Sequence, residues 1–221
     1  MKKIVVICFL YFLQLPVQAQ KKDFGNWLMY FGNQKISKKF NWHNEIQCRN
    51  YNGLGDVEQL LFRTGIGYNL TPNNNNILMG YAFIHSENYV PNTANKVMVD
   101  EHRLFQQFIT KQVFGRYNVL HRYRIEERFI NTDFKIRCRY LVGFNIPINK
   151  KVMEKNAWYV AFYNEVFVNI ERPIFDRDRL YGAVGFCFNT FLKLELGVMT
   201  QMQETNSRGQ FQMAFYNNLP F

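Results

Sequence analysis

Residues 134–146 read FKIRCRYLVGFNI, and the alternation within this stretch decides the fold. Every second residue, from Phe134 to Ile146, is apolar or aromatic, with one cysteine among them. The intervening positions begin with Lys135, Arg137 and Arg139. A β-strand places alternate residues on opposite faces, whereas a helix would spread both sets around its circumference. The stretch therefore predicts a β-strand with one apolar face and one basic face.

The same two-residue period recurs along most of the chain, for example in 60–70, 158–170, 180–188 and 192–198. Clusters rich in asparagine, glycine and proline separate these segments, as expected for turns. The stretch 88–99 contains Pro91 and is predicted to be a surface loop. Eleven strand-like segments result: 26–34, 38–50, 57–70, 76–87, 101–114, 117–130, 133–147, 157–171, 178–190, 192–203 and 210–221.

Composition and length favour a single β domain. Aromatic residues make up 17% of the 221 residues and charged residues 20%, and aromatic side chains suit pleated strands. A chain that enters lipid with strands must close them into a barrel, because an open sheet edge leaves backbone groups unpaired there. Bacterial single-chain barrels have an even number of strands, so one segment is expected to be split or miscounted. We therefore predict an all-β fold, an antiparallel up-and-down transmembrane β-barrel of ten to twelve strands.

The amino terminus has the features of a secretory signal peptide. Lys2 and Lys3 precede an apolar segment, 4–15, and small residues around Ala19 supply a cleavage site. The apolar segment is shorter than the ~20 residues of a transmembrane helix, and a retained amino-terminal anchor is the alternative. The sequence predicts a signal peptide at 1–19, an outer-membrane β-barrel domain at 20–221 and export to the outer membrane.

The carboxyl terminus predicts a closing strand. One parity carries apolar residues up to a terminal phenylalanine, a pattern similar to the signal that the barrel assembly machinery recognises on the last strand. Asn217 interrupts the series, and Pro220 is tolerable only at a strand end. The predicted assembly signal consists of Phe211, Met213, Phe215, Leu219 and Phe221.

If the apolar faces point to lipid, the opposite faces converge inside the barrel and carry most of its charge. The net charge is +10, but the basic residues do not gather in one run, so no nucleic-acid partner is predicted. Two roles remain open: a salt-bridge network that fixes the barrel, or a basic constriction that selects anions. The predicted lumen network comprises Arg63, Arg122, Arg124, Glu126, Arg128, Arg137, Arg139, Glu165 and Arg179, with Lys135, Lys193 and Glu195 on the same faces.

No catalytic, metal or cofactor site is predicted. His85 and Ser86 are adjacent in a strand and would face opposite sides, so they cannot pair as a lipase would require. His121 shares the parity of outward residues. The alternatives are a lipid-modifying outer-membrane enzyme and a secreted soluble barrel that binds an apolar ligand. Aromatic residues predicted to form girdles at the membrane interfaces are Trp27, Trp42, Tyr68, Tyr81, Tyr89, Tyr140 and Trp158.

The order and spacing of several short motifs resemble DUF2490, a family of uncharacterised bacterial outer-membrane proteins. The motifs are Asn26-Trp27, ISKKF at 36–40, RTGIGY at 63–68, Gly80-Tyr81, EHR at 101–103 with Gln106-Gln107, HRYRIEER at 121–128, RCRY at 137–140, Asn164-Glu165 and RLYG at 179–182. The resemblance covers nearly the whole mature chain and implies an outer-membrane barrel, but no activity. The partners expected are outer-membrane lipid and, during biogenesis, the barrel assembly machinery.

Overall fold

A computed structural model describes residues 24–72 and 74–220. The alternating segments form strands throughout, with short connections between them. The strands are β1 (Phe24–Lys35), β2 (Phe40–Asn50), β3 (Val57–Asn69), β4 (Asn75–Tyr89), β5 (Lys96–Phe114), β6 (Tyr117–Ile130), β7 (Asp133–Pro147), β8 (Trp158–Asn169), β9 (Phe175–Cys187), β10 (Leu192–Met202) and β11 (Ser207–Asn217). Among these residues there is no helix long and apolar enough to cross a lipid bilayer.

The strands close into one barrel, and each strand pairs antiparallel with the next along the chain. The predicted all-β barrel of ten to twelve strands is confirmed. The expectation of an even number is wrong for the described residues, which form eleven strands. With an odd number, the first and last strands run in the same direction, so β1 and β11 pair in parallel from Phe24 opposite Gly209 to Gly32 opposite Asn217.

The connection between β4 and β5 is shorter than the loop predicted from the sequence. β4 continues to Tyr89 and β5 begins at Lys96, so only 90–95 connects them. The added residues pair with each other, with Asn88 opposite Val97 and Tyr89 opposite Lys96. The prediction of a loop over 88–99 is therefore wrong at both ends, because this hairpin extends its ladder up to the residues that flank Pro91.

The barrel has two distinct mouths. The C-terminal mouth is the end at which the β1–β2, β3–β4, β5–β6, β7–β8 and β9–β10 connections lie, together with the end of β11. The N-terminal mouth holds the beginning of β1 and the other five connections. The described chain consequently starts and ends at opposite mouths.

Strand alternation separates the two faces of the wall. Large apolar side chains on the outer face are 40–65% exposed, among them Phe62, Met79, Leu104, Phe162 and Val198. The inner parity holds most of the buried charge, including Arg63, Arg103, Arg124, Arg137 and Glu165. The barrel thus has an apolar outer surface and a charged lumen, which is the reverse of a soluble barrel with an apolar core.

The two chain termini lie partly outside the described residues. The predicted signal peptide, 1–19, is outside them, and so is Phe221. Phe211, Met213 and Phe215 lie on the outer face of β11, whereas Leu219 follows the end of the strand. The assembly signal and the cleavage site stay predictions.

Candidate functional site in the barrel lumen

The lumen contains a cavity of about 890 Å³, and residues near both mouths line it. Ser86, Asn88 and Val99 line it towards the N-terminal mouth, and Asn74 and Asn218 line it towards the C-terminal mouth. Among the described residues, twelve arginine and lysine side chains line this cavity against four glutamates. The lumen is therefore strongly positive, and its buried cations need carboxylates, neutral hydrogen-bond acceptors or a bound anion.

Glu126 on β6 is the centre of the charge network and is fully buried. Arg137 Nη2 and Arg139 Nη1 each lie 2.6 Å from its carboxylate oxygens. The guanidinium groups of Arg63, Arg103 and Arg124 lie 3.6–3.9 Å away. One carboxylate thus faces five guanidinium groups, contributed by four strands.

Three more glutamates extend this network around the wall. Glu165 on β8 accepts hydrogen bonds from Arg139 and Arg122, the shortest of each being 2.7 Å. Glu101 on β5 accepts a pair of hydrogen bonds from Arg103 and another pair from Arg128. Glu45 on β2 accepts a 2.5 Å hydrogen bond from Arg63. The network therefore runs from β2 to β9, where Arg179 lies 3.7 Å from Glu165.

Aromatic rings inside the lumen also contact guanidinium groups, including several that pair with glutamates. The buried ring of Phe167 has four guanidinium groups within 6 Å of its centroid, those of Arg137, Arg139, Arg177 and Arg179. Such contacts supply favourable electrostatics without neutralising the charge. The cations accordingly keep their positive field inside the barrel.

The prediction that Trp27 belongs to an aromatic girdle is wrong. Its side chain is 3% exposed and points into the lumen. Arg49 stacks on it at 3.8 Å and Arg179 lies 4.9 Å from its centroid. Because Arg49 is on β2 and Arg179 on β9, Trp27 on β1 joins the two ends of the charge network across the seam. Trp42 and Trp158, in contrast, are on outward-facing positions.

Glu195 on β10 forms a separate site towards the C-terminal mouth. Its carboxylate accepts hydrogen bonds from the hydroxyls of Tyr159, Tyr216 and Tyr181 at 2.9, 3.1 and 3.3 Å. Within the described residues Glu195 has no salt-bridge partner. Tyrosine hydroxyls therefore supply the hydrogen bonds of this carboxylate, and the negative charge of Glu195 does not neutralise any arginine of the cluster.

The N-terminal mouth carries a cluster that links the end of the β4–β5 hairpin to the β2–β3 connection. Lys96 Nζ lies 2.8 Å from Asp56 and 3.2 Å from Glu87, and Tyr89 donates to Asp56 at 3.0 Å. Partial burial alone would raise the pKa of Asp56, but the hydrogen bonds from Lys96 and Tyr89 outweigh it and hold the pKa below its ordinary value. The link between this hairpin and the β2–β3 connection is therefore complete above that pKa and weakens as pH falls through it.

The structure brings all nine predicted lumen residues together inside the barrel. Eight of them are members of the network around Glu126, Glu165 and Glu45, and Arg128 joins it through Glu101. Arg49, Glu45 and Asp176 were not among the predicted lumen residues, and Asp176 lies 2.7 Å from Arg137. The alternation of β2 would have placed Glu45 and Arg49 on the inner face, since both share a face with Gln47. Lys135 was expected on the inner face, but it is exposed and does not line the cavity.

The histidines of the strands face outward or pair with acids. His85 Nδ1 lies 2.6 Å from Asp100 on the outer face, and Ser86 accepts a hydrogen bond from Gln59 inside the lumen. His121 shares a 2.9 Å hydrogen bond with the hydroxyl of Tyr140. No group of three His, Cys, Asp or Glu side chains in 24–72 and 74–220 is arranged to hold a metal ion. The charged lumen is therefore the principal candidate site.

Comparison with known proteins adds a family and no activity. No curated protein and no solved structure matches the chain. A family model described as "Protein of unknown function (DUF2490)" matches residues 24–212, which include ten complete strands and half of β11. The chain belongs to the DUF2490 family of proteins of unknown function.

Proposed function

We propose that this protein spans the outer membrane and that its lumen admits small anionic solutes. Support for a membrane location comes from the outer wall, where Phe62, Leu104, Phe162 and Leu180 present exposed apolar side chains at mid-strand positions. Such a surface on a closed barrel matches the hydrocarbon region of a bilayer. The predicted signal peptide is consistent with this route.

The single observation that carries the anion role is the excess of cations around the cavity, where the described residues contribute twelve arginines and lysines against four glutamates. Rings of arginine and lysine in a narrow lumen favour anions, since a low-dielectric wall strengthens their field. Arg124 is the clearest case. It is 3% exposed, and within the part of the chain that the structure describes it hydrogen-bonds only to the neutral Gln107.

The network also has a structural role that is compatible with the proposed one. Glu126, Glu165 and Glu101 fix their arginines along the wall from β3 to β9. These pairs hold the guanidinium groups in place, while cations without a hydrogen-bonded carboxylate supply the selectivity. The barrel assembly machinery is the partner we propose for insertion, with the outward Phe211, Met213 and Phe215 as its recognition face.

Single-channel recording in planar bilayers under a KCl gradient tests this role. We expect the wild-type protein to conduct, with a reversal potential close to the equilibrium potential of chloride. Arg124→Gln should move that potential towards zero, because it removes a buried cation and Glu126 retains Arg137 and Arg139. The matched control is Lys135→Gln, since Lys135 is exposed and outside the cavity lining.

Two results would contradict the proposal. One is a barrel that stays heat-modifiable on a denaturing gel, and so folded, but shows no channel events or prefers cations. The other is equal selectivity in Arg124→Gln and wild type. Membrane fractionation tests the location separately, because extraction of the folded protein without detergent would favour a secreted soluble barrel.

A further inference from the structure

Two lysines face the cavity from opposite walls near the C-terminal mouth. Lys111 is on β5 and Lys193 is on β10, and five steps around the barrel separate these strands. The described residues provide neither ammonium group with a carboxylate within salt-bridge distance. A pair of unneutralised cations that face one aqueous space raises the local concentration of anions.

Arg122 extends this positive surface inward. Lys111 on β5 is opposite Leu120 on β6, and Arg122 lies two residues after Leu120. The side chains of Lys111 and Arg122 therefore share the inner face of neighbouring strands. The Nη2 atom of Arg122 donates to Glu165, but its buried Nε has no hydrogen-bond partner among the described residues. A free buried donor next to an unpaired lysine forms a binding position for an anionic oxygen.

Asparagine side chains surround the same mouth and supply neutral hydrogen-bonding groups. Asn41 donates to Asn33, and Asn76 donates to both Asn41 and Asn69, so part of this set is held in fixed orientations. The side chain of Asn145 makes no hydrogen bond within the described residues, and it lines the cavity from β7 near the same mouth, opposite Asn118. Amides both donate and accept, as hydroxyl groups do.

We propose that the C-terminal mouth binds a phosphate monoester of a polyhydroxyl compound, such as a sugar phosphate. Lys111 and Arg122 bind the phosphate oxygens, and Lys193 adds its charge from the opposite wall. Asn145 and the asparagines of this mouth hydrogen-bond the hydroxyl groups. This inference rests on the proposed function, since it identifies the solute class for the same anionic lumen.

Isothermal titration calorimetry of the full mature protein in detergent, at low salt, tests the site without requiring transport. The ligands are glucose 6-phosphate, inorganic phosphate and glucose. We expect Lys111→Gln/Lys193→Gln to weaken glucose 6-phosphate binding at least about tenfold, because charge-assisted hydrogen bonds to phosphate are lost. Neither substitution leaves a carboxylate without its partner, so folding should persist, as heat-modifiability would show.

The matched control is Lys38→Gln/Lys39→Gln, which removes the same charge from an exposed loop at the same mouth, outside the cavity lining. It should bind as the wild type does. Asn145→Leu should weaken binding of glucose 6-phosphate several-fold and leave inorganic phosphate unchanged.

Three results would overturn the inference: no binding by the wild type, equal loss in the test and control pairs, or inorganic phosphate binding as tightly as glucose 6-phosphate. Anion-selective conductance with any of these would leave the proposed function intact. Binding that follows the expected pattern in a barrel without anion-selective conductance would contradict only the proposed function.

Discussion

At the scale of single residues, the lumen depends on a few buried carboxylates that each serve several arginines. Glu126 is fully buried and lies within 4 Å of five guanidinium groups. Its removal would leave Arg137 with Asp176 alone and Arg139 with Glu165 alone. Repulsion among guanidinium groups in a medium of low dielectric would then act against the closed barrel.

Glu126→Gln should therefore destabilise the barrel by about 3–5 kcal/mol, the range for breaking a buried charge pair. The measurement is denaturant unfolding in phospholipid vesicles, with heat-modifiability on a gel as a second readout. Glu127→Gln is the control, because Glu127 is the next residue, faces outward and accepts one 3.4 Å hydrogen bond from Gln106. Similar losses in both variants would show that the network around Glu126 does not hold the barrel together.

For some single residues the inward position could be predicted from the sequence, and for others it could not. Arg124, Arg137 and Arg139 could be placed in the lumen from parity, because the alternation on β6 and β7 is unbroken. Trp27 could not, since both parities of β1 carry apolar residues and tryptophan is common at membrane interfaces. Its place inside depends on Arg49 and Arg179, which approach it from other strands. Pairing across the lumen leaves no local pattern in the sequence.

At the scale of the strands, alternation fixes most of the fold. The predicted segment 133–147 coincides with β7, and 117–130 coincides with β6. The beginning of β5 was missed by five residues, because Lys96–Val99 carries only a short apolar run beside a turn-rich segment. These residues are strand only because β4 provides the partner, with Met98 opposite Glu87. Tertiary pairing, which the local sequence does not contain, extends this hairpin.

β10 allows a test of depth in the membrane on one strand. Leu196 and Thr200 both face outward, but Leu196 lies near mid-strand and Thr200 near the N-terminal mouth. Leu196→Arg should cost about 2–4 kcal/mol and Thr200→Arg about 0–1 kcal/mol, because a cation is expensive only at the bilayer midplane. Denaturant unfolding in phospholipid vesicles measures both. Equal costs for the two substitutions would contradict a membrane-spanning β10.

At the scale of the whole molecule, the odd strand count determines how the barrel closes. The eleven strands of residues 24–72 and 74–220 place the beginning of β1 and the end of β11 at opposite mouths, and the seam between these two strands is parallel. The sequence could not predict this, because the apolar alternation of β1 and β11 is compatible with either direction of pairing. The expectation of an even number came from a general rule for bacterial barrels. Closure is thus a property of the complete ladder.

The parallel seam predicts which residues can be joined across it. Leu28 and Met213 are opposite each other on the outer face, so cysteines at these positions lie at a separation that a disulfide can bridge. In a background in which Cys48, Cys138 and Cys187 are alanine, Leu28→Cys/Met213→Cys should cross-link under mild oxidation and change the migration of the unfolded chain. The control is Leu28→Cys/Leu180→Cys, because β9 is three strands from β1 and should not cross-link. If the Leu28 and Met213 positions also fail to cross-link in the folded barrel, β1 and β11 do not meet in this register, and the charge network that Trp27 joins across the seam would be open there.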